Sequence, residues 1–429
     1  MDHLKIQEFW DLRRRYLFVY GLVVAADWLQ GSHVYALYES YGISSRDIAL
    51  LFVMGFGSSL LLGTVVASFG DKLGRRNVCI AYGVIYGLSC LTKHSPNLWI
   101  LMGGRLLAGI ATSIMCTSFE AWLVCECNKK GLSIAQLGDI LSGATKLNGI
   151  IAILSGVVAQ FAVNTSGKLV SPFDVAAGIL TVTSILVYYL WTENYGDQNA
   201  PHLQPFASGV KTLLADTNVL LVGLIQSLFE GSMYIFVLLW TPALEVKSKD
   251  HIEKAGEPKN ILLPHGYIFS AFMIAVALGS FLFSCLSRRL SLERILMGLL
   301  IISTLTFVPA LAIPEDAWAV FAGFVIFEFC VGVFWPCMGA LRGRYVPEDC
   351  RSTLMNYFRI PVNLVVVVVL VQDASLWINF LCCLIFLAAC AVLPTRFKPT
   401  KVSDKDEEND AGNEVSLLSA TVPNYSIRT

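Results

Sequence analysis

Six ionisable residues stand inside stretches that are otherwise apolar: Asp27 in "VYGLVVAADWLQGSHVYALY", Arg105 in "GRLLAGIATS", Lys146 in "GATKLNG", Glu230 in "IQSLFEGSMYIF", Glu328 in "EFCVG" and Arg359 in "NYFRIPVN". A carboxyl group in such surroundings can carry a proton, a Lys or Arg can hold a negatively charged group, and the two kinds can pair with each other. Helical spacing gives four of them a polar stripe. Tyr20, Asp27, Gln30, Gly31 and Tyr38 share one, and Gln226, Glu230 and Tyr234 another. Asp139, Ser142, Gly143, Lys146 and Gly149 form a third, and Ser352, Asn356, Arg359 and Asn363 a fourth.

The elements that must position these residues are membrane spans. A chain of 429 residues with 55% hydrophobic and 15% charged side chains, mean hydropathy +0.63 and formal net charge −1 is not composed like a soluble protein, and no nucleic-acid partner is expected of it. A crossing needs about 20 mostly apolar residues. About twelve windows meet that template: 16–38, 47–69, 77–93, 98–122, 134–161, 172–191, 217–240, 265–286, 294–313, 317–340, 353–371 and 375–393. The expected class is an all-α polytopic membrane protein.

The long connection after the sixth window divides the chain. We expect an N-terminal six-helix half at 1–192, a cytoplasmic linker at 193–216, a C-terminal six-helix half at 217–393 and an acidic, disordered cytoplasmic tail at 394–429. The charges repeat between the halves. Asp27 in the first window is matched by Glu230 in the seventh, Arg105 in the fourth by Glu328 in the tenth, and Lys146 in the fifth by Arg359 in the eleventh. Each would cost roughly 2.5–3.5 kcal/mol facing lipid. They are therefore expected to face each other or water in a polar cavity between two pseudo-symmetric halves. The alternative is a set of salt bridges that only hold the bundle together, such as Asp27 with Lys146 or Arg105. Pro336 and Pro361 are expected to bend the tenth and eleventh helices.

Lys and Arg concentrate in the N-terminus and alternate loops, at Arg13 to Arg15, Lys72, Arg75, Arg76, Arg288, Arg289, Arg342, Arg344, Arg396 and Lys398, which puts both termini in the cytoplasm. The charged opening "MDHLKIQEFWDLRRRY" leads into a window without a small-residue cleavage site, so no removed signal peptide is expected. Asn164-Thr165-Ser166 is a glycosylation sequon on the expected outer side. Gly83 and Gly87, in GxxxG spacing, are expected to let helices approach. Most cysteines lie within windows, as small apolar residues, and neither Cys125-x-Cys127 nor Cys382-Cys383 has the second ligand pair a zinc site needs. Gly55-Phe-Gly57 does not continue to a dinucleotide fingerprint, and no Walker A sequence occurs. No metal, cofactor or enzymatic activity is expected.

Between the second and third windows, "ASFGDKLGRRN" resembles the loop signature of the major facilitator superfamily, with Asp71, Gly74, Arg75 and Arg76 matching and Ala67 in place of the first glycine. That resemblance implies a gating loop that clamps cytoplasmic helix ends and releases them during alternating access. Arg105 and Gly109 likewise match the superfamily's helix-4 motif, which is associated with proton coupling in some members. Longer strings are more specific. "AADWLQGSHVYALYESYG", "LTKHSPNLWILMGGRLLAGIATS", "SFEAWLV", "WTENYGD", "IQSLFEGSMYIFVLLWTPAL", "FEFCVGVFWPCM" and "RSTLMNYFRIPVN" resemble the molybdate-anion transporter branch of the superfamily across nearly the whole chain. Members of that branch begin with a further hydrophobic segment that is not in this sequence, which leaves the N-terminal boundary open.

The resemblance implies molybdate as substrate. A tetrahedral dianion inside a membrane needs positive charge and many N–H donors, and Arg suits a bidentate contact with it. Lys146 and Arg359 are the first expected contacts, Arg105 the next, with Asn356 and Asn363 beside them. Asp27, Glu230 and Glu328 are the expected proton-coupling or ion-pair residues, because protonating them leaves the site net positive. The expected partners are molybdate, protons and the lipid bilayer, for a monomer in the plasma membrane. A carrier of a sugar or organic ion, using Trp28, Tyr38, Tyr234 and Trp335, and a non-transporting sensor that signals through its tails are the alternatives.

Overall fold

The computed structural model describes residues 3–195, 216–255, 263–346, 358 and 374–398, with the helical backbone alone at 3–4, 60–72 and 246–255. These residues are helical apart from short connections. In chain order they form α1 (His3–Gly31), α2 (Val34–Ser40), α3 (Ser45–Leu73), α4 (Arg75–Thr92), α5 (Leu98–Lys129), α6 (Ile134–Ser166) and α7 (Ser171–Leu190). After the linker come α8 (Thr217–Ala255), α9 (His265–Leu286), α10 (Leu292–Thr306), α11 (Val308–Ala312), α12 (Ala317–Tyr345) and α13 (Leu376–Val392). Every expected window but 353–371, which lies outside the described residues apart from Phe358, falls on helix. Eight described segments are long and apolar enough to cross a membrane by length and composition.

Capping chemistry sets the helix starts. Ser44 accepts from the Asp47 amide before α3, Asn97 from Trp99 before α5, and Asp316 from Trp318 and Ala319 before α12. Ser133 and Gln136 make a reciprocal capping box for α6, which ends at Gly167 in the left-handed region, φ 68°. The boundaries differ from the expected windows in three places. The charged N-terminal segment is helical from His3. The first window is broken after Gly31, where Ser32 Oγ bonds His33 Nδ1 at 2.7 Å, so that Tyr38 lies on a separate short helix. Helix α8 carries Pro242 inside it and continues to Ala255 through the expected outer loop.

The described residues fall into two compact units, one within Met1–His202 plus His265–Ser270, the other within Leu203–Pro264 plus the chain from Ala271. In the first unit, α3 packs on α5, α4 on α5 and α7, and α1 on α6 and α7. Its aromatic core runs through Tyr16, Tyr20, Tyr82, Phe119, Trp122 and Trp191, and the two tryptophans stack at 3.8 Å between centroids. The residues from His265 join it through Gly266, whose amide donates to Gln160 Oε1, and Ser270, which donates to the Ile153 carbonyl. The second unit is built on Phe229, Phe236, Phe307, Phe324, Phe327 and Phe380, with Phe334 stacked on Phe229 at 3.7 Å.

Candidate functional site

Arg105 is 2% exposed, two turns into α5. Its neighbours are cationic and aromatic. The guanidinium carbon lies 4.5 Å from the ring centre of Phe52 on α3 and 5.3 Å from that of Tyr38 on α2. Lys93, which caps the end of α4 and is 1% exposed, donates to the Tyr38 hydroxyl at 2.7 Å, its Nζ 5.2 Å from the ring centre. Backbone contacts fix the pair. Ser89 Oγ donates to the Gly104 carbonyl at 2.7 Å, tying the last turn of α4 to the residue before Arg105, and the Tyr41 hydroxyl donates to the Lys93 carbonyl. Gly109 of the same helix-4 motif brings α5 onto α3, where a side chain would meet the Gly55 carbonyl at 2.6 Å. Among the described residues no carboxylate pairs with either cation, and Arg105 Nε and Nη2 are buried without an acceptor.

Asp27, also buried, accepts from the Tyr86 hydroxyl on α4 at 2.7 Å. Next to it in sequence, Trp28 Nε1 donates to Asn148 of α6 at 2.8 Å. The α6 stripe divides. Asp139 reaches Arg13 at 3.2 Å, whereas Lys146 is exposed, on the face that further along carries Ile153 and Gln160. In the second unit, Arg342 Nη1 donates to Gln226 Oε1 at 3.1 Å and Gln226 Nε2 to Glu230 Oε1 at 2.7 Å, so the amide relays a positive charge to a buried carboxyl. Glu328 is buried without a hydrogen bond or ion pair among the described residues. Phe358, described alone in its segment, accepts from Ser227 through its carbonyl. Arg359, Asn356, Asn363 and Pro361 lie outside the described residues.

The loop signature is tied down by residues that the sequence reading did not assign. Gly74 has φ 94°, a conformation that favours glycine, and a side chain there would displace the Glu193 carboxylate, whose Cδ would lie at 2.5 Å. Glu193 accepts from the Arg76 amide at 2.9 Å and lies 3.7 Å from Arg76 Nε, a carboxylate set at the start of α4 where the helix dipole favours it. Asn194 accepts from the Arg75 amide and donates to the Trp122 carbonyl and to Glu126 Oε1. Arg75 Nη1 donates to the Ala121 carbonyl at 2.9 Å. The stretch Trp191–Asn194 thus joins the ends of α4, α5 and α7. The side chain of Asp71 lies outside the described residues. Asn164 sits on the last turn of α6, not on a loop, and its Oδ1 accepts from Gln160.

Lys93, Tyr86, Glu193 and Arg342 are the partners that sequence reasoning passed over, whereas Gln226 is on the expected Glu230 stripe. Lys93 ends an apolar window and Arg342 was counted in a loop, positions where a cation ordinarily reaches water.

An all-helical, multi-pass chain with buried charges and this loop is a membrane transporter of the major facilitator class. A family model described as sugar transporters with 12 TM matches residues 4–334, and the Major Facilitator Superfamily model matches residues 265–424. The chain belongs to the molybdate-anion transporter family of this superfamily. It is 36% identical over 355 residues to the molybdate-anion transporter of Xenopus tropicalis, covering 80% of this chain and 75% of that one. To the Danio rerio protein of the same name it is 30% identical over 391 residues, covering 83% and 78%. In fold it is similar to a point mutant of the nucleoside transporter NupG, with a TM-score of 0.70 at 13% identity over 90% of this chain and 98% of that one.

Proposed function

We propose that this protein carries molybdate across a membrane by alternating access, linked to protons. The relatives named as molybdate-anion transporters, 30–36% identical over about four-fifths of the chain, carry the substrate assignment. Lys146, Arg359 and Arg105 supply positive charge to the anion, with Asn356 and Asn363 as amide donors. Asp27, Glu230 and Glu328 exchange the coupling protons: when protonated they leave the site net positive and the dianion enters, and when they ionise it is expelled. Asp71, Gly74, Arg75 and Arg76 gate the passage, in a monomer of the plasma membrane with both termini cytoplasmic. A sugar carrier is the second reading, favoured by the description of the matching family model.

The test is uptake of labelled molybdate into liposomes holding the purified protein, with and without an inward proton gradient, with sulfate and glucose as competitors. Saturable uptake that responds to the gradient and resists both competitors is expected. Lys146→Met and Arg359→Met are expected to abolish it in folded protein, and unchanged uptake in both sinks their assignment. Uptake of glucose in place of molybdate selects the second reading.

A further inference from the structure

We propose that Lys93, Arg105 and Tyr38 form a built binding site for a tetrahedral oxyanion inside the first unit. The inference rests on the anion-transport reading and joins to Arg105 two residues, Lys93 and Tyr38, that neither the family motifs nor the charge repeat supplies as anion contacts. The site draws on four elements: Tyr38 on α2, Phe52 on α3, Lys93 at the end of α4 and Arg105 on α5.

Three observations point to a missing anion. Two cations share one phenol, Lys93 Nζ at 5.2 Å and the Arg105 guanidinium at 5.3 Å from the same ring centre, with no carboxylate paired to either among the described residues. Like charges sharing one buried phenol repel, and contacts with the ring and its hydroxyl offset only part of that. Arg105 is only 2% exposed, yet its Nε and Nη2 hydrogens have no acceptor. The Nε hydrogen and one of the two on Nη2 lie parallel on one edge of the guanidinium, the edge that grips two oxygens of a carboxylate, phosphate or similar oxyanion. The Lys93 ammonium, spending one donor on Tyr38, has two more to offer a third oxygen. The rings of Phe52 and Tyr38 lie 4.5 and 5.3 Å from the guanidinium carbon, and neither can accept along the Nε–Nη2 edge as an oxyanion would. The site lies at the end of α4 opposite the Gly74 turn, away from the gating loop.

The experiment is equilibrium dialysis of the full-length protein in detergent against labelled molybdate, with parallel dialysis against labelled sulfate and labelled chloride. Lys93→Met is expected to weaken molybdate binding at least tenfold, and Arg105→Lys to weaken it as far, because the charge stays and the parallel pair of donors goes. Tyr38→Phe, which keeps the ring, costs a few-fold, and Lys168→Met, in an exposed loop, binds as the unaltered protein does. Each variant is first shown to be monodisperse by size exclusion. Should Lys93→Met fail that check, Arg105→Lys and Tyr38→Phe decide. If those two variants bind molybdate normally while Lys146→Met does not, the site proposed here is overturned and the transport reading stands. If the unaltered protein binds sulfate or chloride but not molybdate, and Lys93→Met abolishes that binding, the molybdate reading falls and the cationic cluster survives with a different anion. Binding of none of the three overturns both.

Discussion

At the scale of single residues, burial divides the charges that the sequence had grouped together. Asp27, Arg105, Glu230 and Glu328 are all buried, whereas Lys146 is exposed. The burial of four was legible because an ionisable side chain amid twenty apolar neighbours has nowhere else to go. Gln226, four residues from Glu230 on one stripe, was legible as its partner, but partners on other helices were not: nothing in "AYGVIYGLSC" marks Tyr86 as the donor to Asp27. That bond makes the proposed proton role testable without loss of the fold. In Asp27→Asn the amide oxygen can still accept from Tyr86, so the cost at that bond is the difference between a charged and a neutral acceptor, about 1 kcal/mol. Folded yield is expected to fall little, while molybdate uptake into liposomes loses its response to an inward proton gradient. A variant that responds as strongly as the unaltered protein removes Asp27 from the coupling.

At the scale of helices, the sequence located the elements and misjudged how some of them meet or end. Gly83 and Gly87 share a GxxxG spacing, yet only Gly83 lies at a crossing. A side chain there would meet the Leu180 carbonyl of α7 at 2.7 Å, and the Ser184 hydroxyl as well, whereas among the described residues nothing lies within 4 Å of one at Gly87. Four residues along a helix turn the second glycine slightly past the contact line, and the pattern alone does not say which of the two is covered. The prediction is asymmetric. Gly83→Ala forces α4 and α7 apart and is expected to cost about 1–3 kcal/mol. Gly87→Ala meets open space and gains up to about 1 kcal/mol of helix propensity. Thermal unfolding followed by tryptophan fluorescence should separate the two, and equal effects would mean that the α4–α7 crossing is not this close. The break after Gly31 falls at Gln30-Gly31-Ser32-His33, which the apolar window spanned because residues on both sides are apolar, and it sets Tyr38 on a separate helix beside Lys93 and Arg105.

At the scale of the whole molecule, a carrier and a sensor differ in where their output lies. The residues beyond Lys401 read "VSDKDEENDAGNEVSLLSATVPNYSIRT", rich in acid and poor in apolar side chains, and a sensor that signals through its tail would need them. A transporter would not, provided the cut spares what the second unit uses. Lys398 exchanges hydrogen bonds with Asn218 at the start of α8, its amide donating to Oδ1 at 3.0 Å and its carbonyl accepting from Nδ2 at 3.1 Å. Phe397 stacks on Tyr345 at the end of α12, 5.0 Å between centroids. These contacts join the two ends of the second unit's described chain. Truncation after Lys401 is therefore expected to leave both unfolding temperature and molybdate uptake unchanged. Truncation after Leu393 strips the stacked ring and both Asn218 bonds, and is expected to lower stability by about 2–4 kcal/mol, since it combines the loss of a packed aromatic with two hydrogen bonds. If the longer truncation product folds but no longer transports, the tail takes part in the output and the sensor reading regains its ground.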